Sequence, residues 1–148
     1  MKALVFGASG QVGSALLGQV PSGITATGLS RDALDLTDET ATAEAIFDHR
    51  PDFVLNAAAY TAVDKAESEP ELAQAINGDA VGAMAMALLE TGGRLVHIST
   101  DFVFDGEQST PYAPDDQRNP LSAYGETKAS GEDVAGDDAI ICRTSWVY

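Results

Sequence analysis

The stretch Gly7-Ala8-Ser9-Gly10-Gln11-Val12-Gly13 constrains this chain more than any other. It follows an apolar run, Lys2 to Phe6, that reads as a strand, and it opens a helical pattern from Gln11 to Val20. A GxxGxxG turn at that place is a relative of GxGxxG, and the physical demand is the same. One glycine makes the tight strand-to-helix turn, another lets backbone approach a pyrophosphate, and Gly13 lets helix and strand pack closely. The helix N-terminus then presents free N–H groups and the positive end of its dipole to phosphate. A glycine-rich turn alone is weak evidence, but in the first βα unit of an alternating chain it is much stronger. Gly7, Ser9, Gly10, Gln11, Val12 and Gly13 are therefore expected to contact a dinucleotide.

The rest of the chain alternates as that reading requires. Strands are expected at Ile24–Leu29, Asp52–Asn56, Arg94–Ser99 and Ala139–Thr144, and helices at Asp38–His49, Glu71–Leu89 and Ala123–Val134. A long loop should run from Asp101 to about Ser122, and loops of that length are often functional. Such alternation predicts an α/β fold, a Rossmann-type doubly wound parallel sheet with helices on both faces. The 148 residues, 45% of them hydrophobic, suffice for one domain with a core, residues 1–148. No apolar run reaches the ~20 residues of a membrane span, so no membrane partner and a cytoplasmic location are expected. The single Cys142 excludes an internal disulfide and a cysteine-based zinc site, and its apolar setting suggests a buried, inert thiol.

The net charge of −15 repels phosphate backbones, which argues against nucleic-acid binding. The acidic residues are scattered rather than gathered in a tail. Two readings stand: a well-solvated surface, or adaptation to high salt, since the Asp-rich, Lys-poor balance resembles that of halophile proteins.

Two further motifs carry chemistry. Tyr124-Gly125-Glu126-Thr127-Lys128 is a YxxxK pattern in the last expected helix, and its i, i+4 spacing puts phenol and ammonium on one face. A nearby lysine cation is expected to lower the tyrosine pKa and ready it for proton exchange with a carbonyl oxygen. His97-Ile98-Ser99-Thr100-Asp101 closes the fourth strand, and ligands of open α/β sheets bind outside the carboxyl ends of strands. A hydroxyl there can hold the oxygen that Tyr124 protonates, with Thr100 the first candidate and Ser99 the second. For cofactor choice, the end of the second strand carries Ser30 and Arg31, which favour the extra phosphate of NADPH. Asp32 could soften that preference and admit NADH, and Arg31 could also be an ordinary surface charge.

With these elements in order, the chain resembles the extended short-chain dehydrogenases, and within them the dTDP-4-dehydrorhamnose reductase family, along essentially its whole length. The matching stretches are the Gly7–Gly13 turn, Leu34–Asp38, Asn56–Glu67, Ser99–Gly106, Tyr124–Lys128 and Arg143–Tyr148. The runs around Val63-Asp64-Lys65 and Ser99-Thr100-Asp101-Phe102-Val103-Phe104-Asp105-Gly106 are the specific ones.

The resemblance implies roles. Tyr124 would donate the proton, Lys128 would hold the nicotinamide ribose, and Thr100 would orient the keto oxygen with Asp101 and Phe102 near the sugar. Asp35 and Leu36 would lie beside the adenine, and Ala57, Ala58, Ala59 and Tyr60 would line the cofactor path, unless the alanines are simply core. Asn77 matches a helix asparagine that holds a water in many such enzymes, or is an ordinary polar residue. The implied reaction is reduction of the C4 ketone of dTDP-4-dehydro-L-rhamnose, a nucleotide-sugar substrate, to dTDP-L-rhamnose by NADPH.

Members of the family run to nearly twice this length, and their second half, expected to be absent here, supplies much of the sugar-nucleotide pocket. The resemblance admits a homodimer. Some members dimerise around a metal held by a first-helix Glu, but that stretch here reads Gly13-Ser14-Ala15-Leu16, so no metal is expected. The alternatives are an epimerase or dehydratase on another nucleotide sugar, or a regulatory subunit resembling that of methionine adenosyltransferase. Asp101 followed by Phe102 lacks the acidic pair usual in dehydratases.

Overall fold

The computed structural model describes residues 1–147. Tyr148, the end of the last resemblance stretch, lies outside the described residues. Five strands, β1 (Lys2–Phe6), β2 (Thr25–Leu29), β3 (Phe53–Asn56), β4 (Arg94–Thr100) and β5 (Ile140–Thr144), form one sheet in the order β2-β1-β3-β4-β5. Every pairing is parallel, with Phe6 level with Leu29 and Asn56, and Asn56 level with His97.

The helices are α1 (Gln11–Gly18), α2 (Glu39–His49), α3 (Val63–Ala66), α4 (Pro70–Gln74), α5 (Ala80–Thr91) and α6 (Ala123–Val134). The sequence placed most of these within a residue or two. α1 stops two residues early, at Gly18. α2 starts at Glu39 because Asp38 is its cap, its carboxylate accepting from the Ala41 N–H at 2.9 Å. α6 is capped in the same way by Ser122. α5 ends at Gly92, whose φ of 81° closes the helix in the left-handed region.

The sequence did not reveal α3. It also read one helix from Glu71 to Leu89 where the chain forms α4, a π turn over Ala75–Asp79, and α5. Together Pro70–Thr91 spans 22 residues, long and apolar enough by length and composition to cross a bilayer. Here it is a core helix: Ala73, Ala80, Val81, Met84, Ala87 and Leu88 are all buried.

Connection handedness explains how the faces are covered. β1 to β2 steps one way along the sheet, while the later crossovers step the other way. Right-handed crossovers of opposite direction put their helices on opposite faces. α1 therefore covers β1 and β2 on one side, and α2, α5 and α6 share the other, where α5 packs on both neighbours. Leu4, Phe6, Ile46, Val54, Val81, Met84, Leu88 and Leu95 make the core between sheet and helices. On β3 and β4 the alternation is direct. Val54, Asn56, Leu95, His97 and Ser99 are buried beneath the helices, and Phe53, Leu55, Val96 and Ile98 on the other face are only partly so. β5 is an edge strand, which leaves Cys142 a free thiol of intermediate burial rather than the fully buried one expected.

Candidate active site

The chain turns in opposite directions from β1, to β2 on one side and β3 on the other, and a crevice opens at that switch point. A cleft of about 1050 Å³ runs along the carboxyl ends of β1, β3 and β4. Gly7, Ser9, Gly10, Gln11 and Val12 line one end, with Ser30, Arg31 and Leu36 beside them. Ala57, Ala58, Ala59 and Tyr60 form the floor, and Thr100, Asp101, Phe102, Tyr124 and Lys128 the other end. Residues separated by more than a hundred positions in sequence thus share one cavity.

Two of the expected contact residues do not line it. Gly13 sits behind the turn, where a β-carbon would fall 2.1 Å from the Gly7 carbonyl oxygen. Asp35 is spent locally: its carboxylate accepts from the Thr37 N–H at 3.0 Å and the Thr37 hydroxyl at 2.9 Å, bonds that lower its pKa.

The geometry of the turn leaves the start of α1 open. Gly7 adopts φ 77°, and its N–H and that of Ala8 donate to the Leu29 carbonyl. A β-carbon on Gly7 would strike Ala57 and Ala58 backbone at 2.7–2.8 Å, so the first and third βα loops meet there. α1 begins at Gly10 with no side-chain cap and no acidic residue in its first turn. Its leading N–H groups and dipole are therefore free to receive an anion.

At the other end, Tyr124 and Lys128 project from α6 toward the end of β4. The Phe102 ring meets the Tyr124 ring edge-on, with centroids 5.6 Å apart. Burial raises the Tyr124 pKa, a hydrogen bond with Thr100 works against that rise, and the charge of Asp101 adds to it. This corrects the expectation that Lys128 lowers it. The Lys128 ammonium position is turned inward instead, 2.7 Å from the Ile98 carbonyl and 3.2 Å from His97 Nε2. Tyr124 is consequently a protonated phenol at neutral pH, able to give a proton.

The Thr100 and Ser99 hydroxyls point different ways. The Thr100 hydroxyl faces Asp101 and the Phe102 N–H, at the cleft. Ser99 points under the sheet and donates to Glu132 at 2.5 Å. Asn77 is bonded on both sides of its side-chain amide. The π turn buries it, its carbonyl accepts from the Tyr60 N–H at 2.9 Å, and its amide donates to the Tyr60 carbonyl and the Thr127 hydroxyl. It clamps the cofactor-side loop to α6, and π turns of this kind recur at functional sites.

Beneath the site lies a charge network the sequence did not disclose. The Glu132 carboxylate accepts from Ser99, from Arg143 at 2.9 and 2.7 Å, and from Arg118 at 3.1 Å. Burial would raise its pKa, but the bonds from Arg143 and Ser99 and the two guanidinium charges hold it below the ordinary value. Arg143 also lies over the Phe104 ring at 5.0 Å and donates to the Pro114 carbonyl, while Phe104 stacks on Tyr112 at 4.3 Å. The long loop is thereby ordered from within. Removing one partner of a buried ion pair strands the others. Glu132→Ala is expected to cost about 3 kcal/mol in urea unfolding; a loss under about 0.5 kcal/mol would mean the network contributes nothing net.

His97 and Asn56 are the other residues that sequence reasoning passed over. Both are fully buried, with Asn56 Nδ2 3.1 Å from His97 Nδ1. The signal was available: alternation along β4 puts His97 on the inner face with Leu95 and Ser99, where a polar ring needs partners.

Comparison with known proteins agrees with this layout. A family model described as the RmlD substrate binding domain matches residues 1–148. The chain is 46% identical, over its whole length, to the dTDP-4-dehydrorhamnose reductase of Burkholderia thailandensis and covers 51% of that protein. It is likewise 46% identical to the enzyme of that name from Salmonella typhimurium, covering 52% of it. Among solved structures it superposes with a TM-score of 0.96 on a dTDP-4-dehydrorhamnose reductase from Clostridium acetobutylicum, at 38% identity over all of this chain and 54% of that one. It superposes at 0.95 on the Bacillus anthracis enzyme in complex with NADP, at 32% identity over 99% of this chain and 54% of that one. The chain spans about half the length of the curated relatives it matches.

Proposed function

This chain belongs to the RmlD substrate binding domain family, and we propose that it forms the cofactor-binding, proton-donating half of a dTDP-4-dehydrorhamnose reductase. The observation that carries the reading is a single cleft holding an anion cradle at one end and Thr100, Tyr124 and Lys128 at the other.

The residues present fit NADPH. Gly7 and Gly13 let the turn close against the third βα loop and against α1 where a β-carbon would strike backbone, the uncapped α1 suits the pyrophosphate, and Ala57–Ala59 allow close approach. Ser30 and Arg31, at the cleft end near β2, suit the extra phosphate of NADPH over NADH. When bound, the cofactor supplies the hydride that reduces the C4 ketone. Everything else is the work of the chain. Thr100 holds the ketone oxygen by its hydroxyl, and Tyr124 gives that oxygen its proton. Phe102 packs on the Tyr124 ring and fixes its direction. Asp101 and Phe102 border the place of the sugar, and the remaining walls of the nucleotide pocket belong to a second half such as the relatives possess.

The decisive assay follows NADPH consumption with dTDP-4-dehydro-L-rhamnose, in molar KCl to suit the acidic surface, using the protein that carries this chain with such a second half. Formation of dTDP-L-rhamnose is the expected result. A folded protein that binds NADPH yet leaves this sugar unreduced would refute the substrate assignment.

A further inference from the structure

The hydrogen-bonding capacities around His97 dictate more than packing. The Ala58 N–H can only donate, and it does so to Asn56 Oδ1 at 3.1 Å. That bond orients the Asn56 amide, so it is Nδ2, a donor, that stands 3.1 Å from His97 Nδ1. Nδ1 must accept. A neutral imidazole has one proton, which then resides on Nε2. The ring is neutral: its pKa is lowered to about 3, chiefly by burial.

Nε2 in turn lies 3.2 Å from Lys128 Nζ, and Nζ lies 2.7 Å from the Ile98 carbonyl. An ammonium has three hydrogens and no lone pair, so it would meet the Nε2–H donor to donor. A neutral amine fits: it accepts from Nε2–H, donates to Ile98, and keeps one hydrogen for the cleft. The opposite tautomer would accept from an ammonium, but only if Asn56 flipped and set its amide against the Ala58 N–H. The charged and titratable groups facing the pair are few. Glu132, one turn along α6 and already bound by Arg143 and Arg118, favours the cation, while Tyr124 and Asp101 lie on the cleft side.

We propose that His97 is a positioning residue that controls the proton inventory of Lys128: Asn56 holds it as the Nε2–H tautomer, and in that form it favours the neutral amine. Lys128 is then not a fixed cation. An oxygen entering the cleft that needs a cation draws a proton onto Nζ against the resistance of His97. This consequence for cofactor binding rests on the function proposed above; the tautomer itself does not.

The chain has two histidines and three lysines, so both groups are accessible to NMR. In the wild-type chain, long-range ¹H–¹⁵N correlation should find the His97 proton on Nε2, with Nδ1 unprotonated. A proton on Nδ1, or on both nitrogens, at neutral pH would overturn the proposal without reference to activity. The ¹³Cε titration of the lysines tests the second half of the proposal, on a side chain whose pKa burial lowers to about 8. His97→Gln offers a carbonyl that accepts from an ammonium. It should raise the Lys128 midpoint by at least about one unit, a tenfold change in the ratio of neutral amine to ammonium. An unchanged midpoint would show that burial alone sets the lysine. If the variant does not fold, the wild-type nitrogen assignment still decides the matter. Failed turnover with intact Nε2–H would count against the proposed substrate alone.

Discussion

Tyr124→Phe should lower turnover by about 10²–10⁴-fold, the span typical of losing a positioned proton donor, while NADPH affinity stays nearly constant. The substitution is well controlled by its surroundings. The ring keeps its edge-on contact with Phe102, and the side chain remains buried at the start of α6. Only the hydroxyl is removed. Burial and Asp101 hold the phenol protonated through the neutral range, so the wild-type group acts as an acid rather than as a phenolate base. The measurement is single-turnover hydride transfer to the 4-keto sugar, with thermal unfolding as the check on structure. A variant retaining more than about a tenth of wild-type rate would remove Tyr124 from its role.

Gly13→Ala should be the most damaging change of one methyl group. The new β-carbon would stand 2.1 Å from the Gly7 oxygen, 2.8 Å from the Gly7 carbonyl carbon and 3.0 Å from Ala8 Cα. All three are backbone, so no side chain can rotate out of the way. Either α1 shifts outward or the turn opens, and both separate the helix N-terminus from the place of the pyrophosphate. Overpacking of this kind costs about 1–3 kcal/mol, and more where backbone must move. NADPH binding should fall by at least about tenfold, the equivalent of about 1.4 kcal/mol. Gly18→Ala, on the same helix with nothing within 4 Å of the added carbon, supplies the control. It should be neutral or slightly stabilising by helix propensity. Calorimetric titration of both variants with NADPH separates the outcomes; equal affinities would mean that helix and turn do not need their close approach.

Local pattern carried a great deal here. Apolar runs alternating with helical spacing were enough to place the five strands and the α/β class. The glycine turn marked the first βα crossing, and the spacing of Tyr124 and Lys128 put both on one face of α6. These features depend on residues within a few positions of one another, and periodicity reports such relations directly. Even so, α3 is one turn long, too short to have a period, and the π turn at Ala75–Asp79 breaks a period that looked continuous.

What composition and spacing could not contain were partnerships set by the sheet. Glu132, 33 residues from Ser99, takes the Ser99 hydroxyl, and no local pattern announces that bond. Asn77 meets Tyr60 and Thr127 across 17 and 50 positions. His97 reaches Asn56 and Lys128 across 41 and 31. Burial, and then the charge of Asp101, raise the Tyr124 pKa where the spacing of the pair had suggested a fall. By itself the sequence determined the alternating α/β chain, its glycine-rich turn and the tyrosine–lysine pair, because short-range stereochemistry writes those into neighbouring residues. Only the tertiary structure decided which way each hydroxyl points, where the lysine side chain turns and what lies beneath it, because buried polar groups take their partners from whichever strand the register brings alongside.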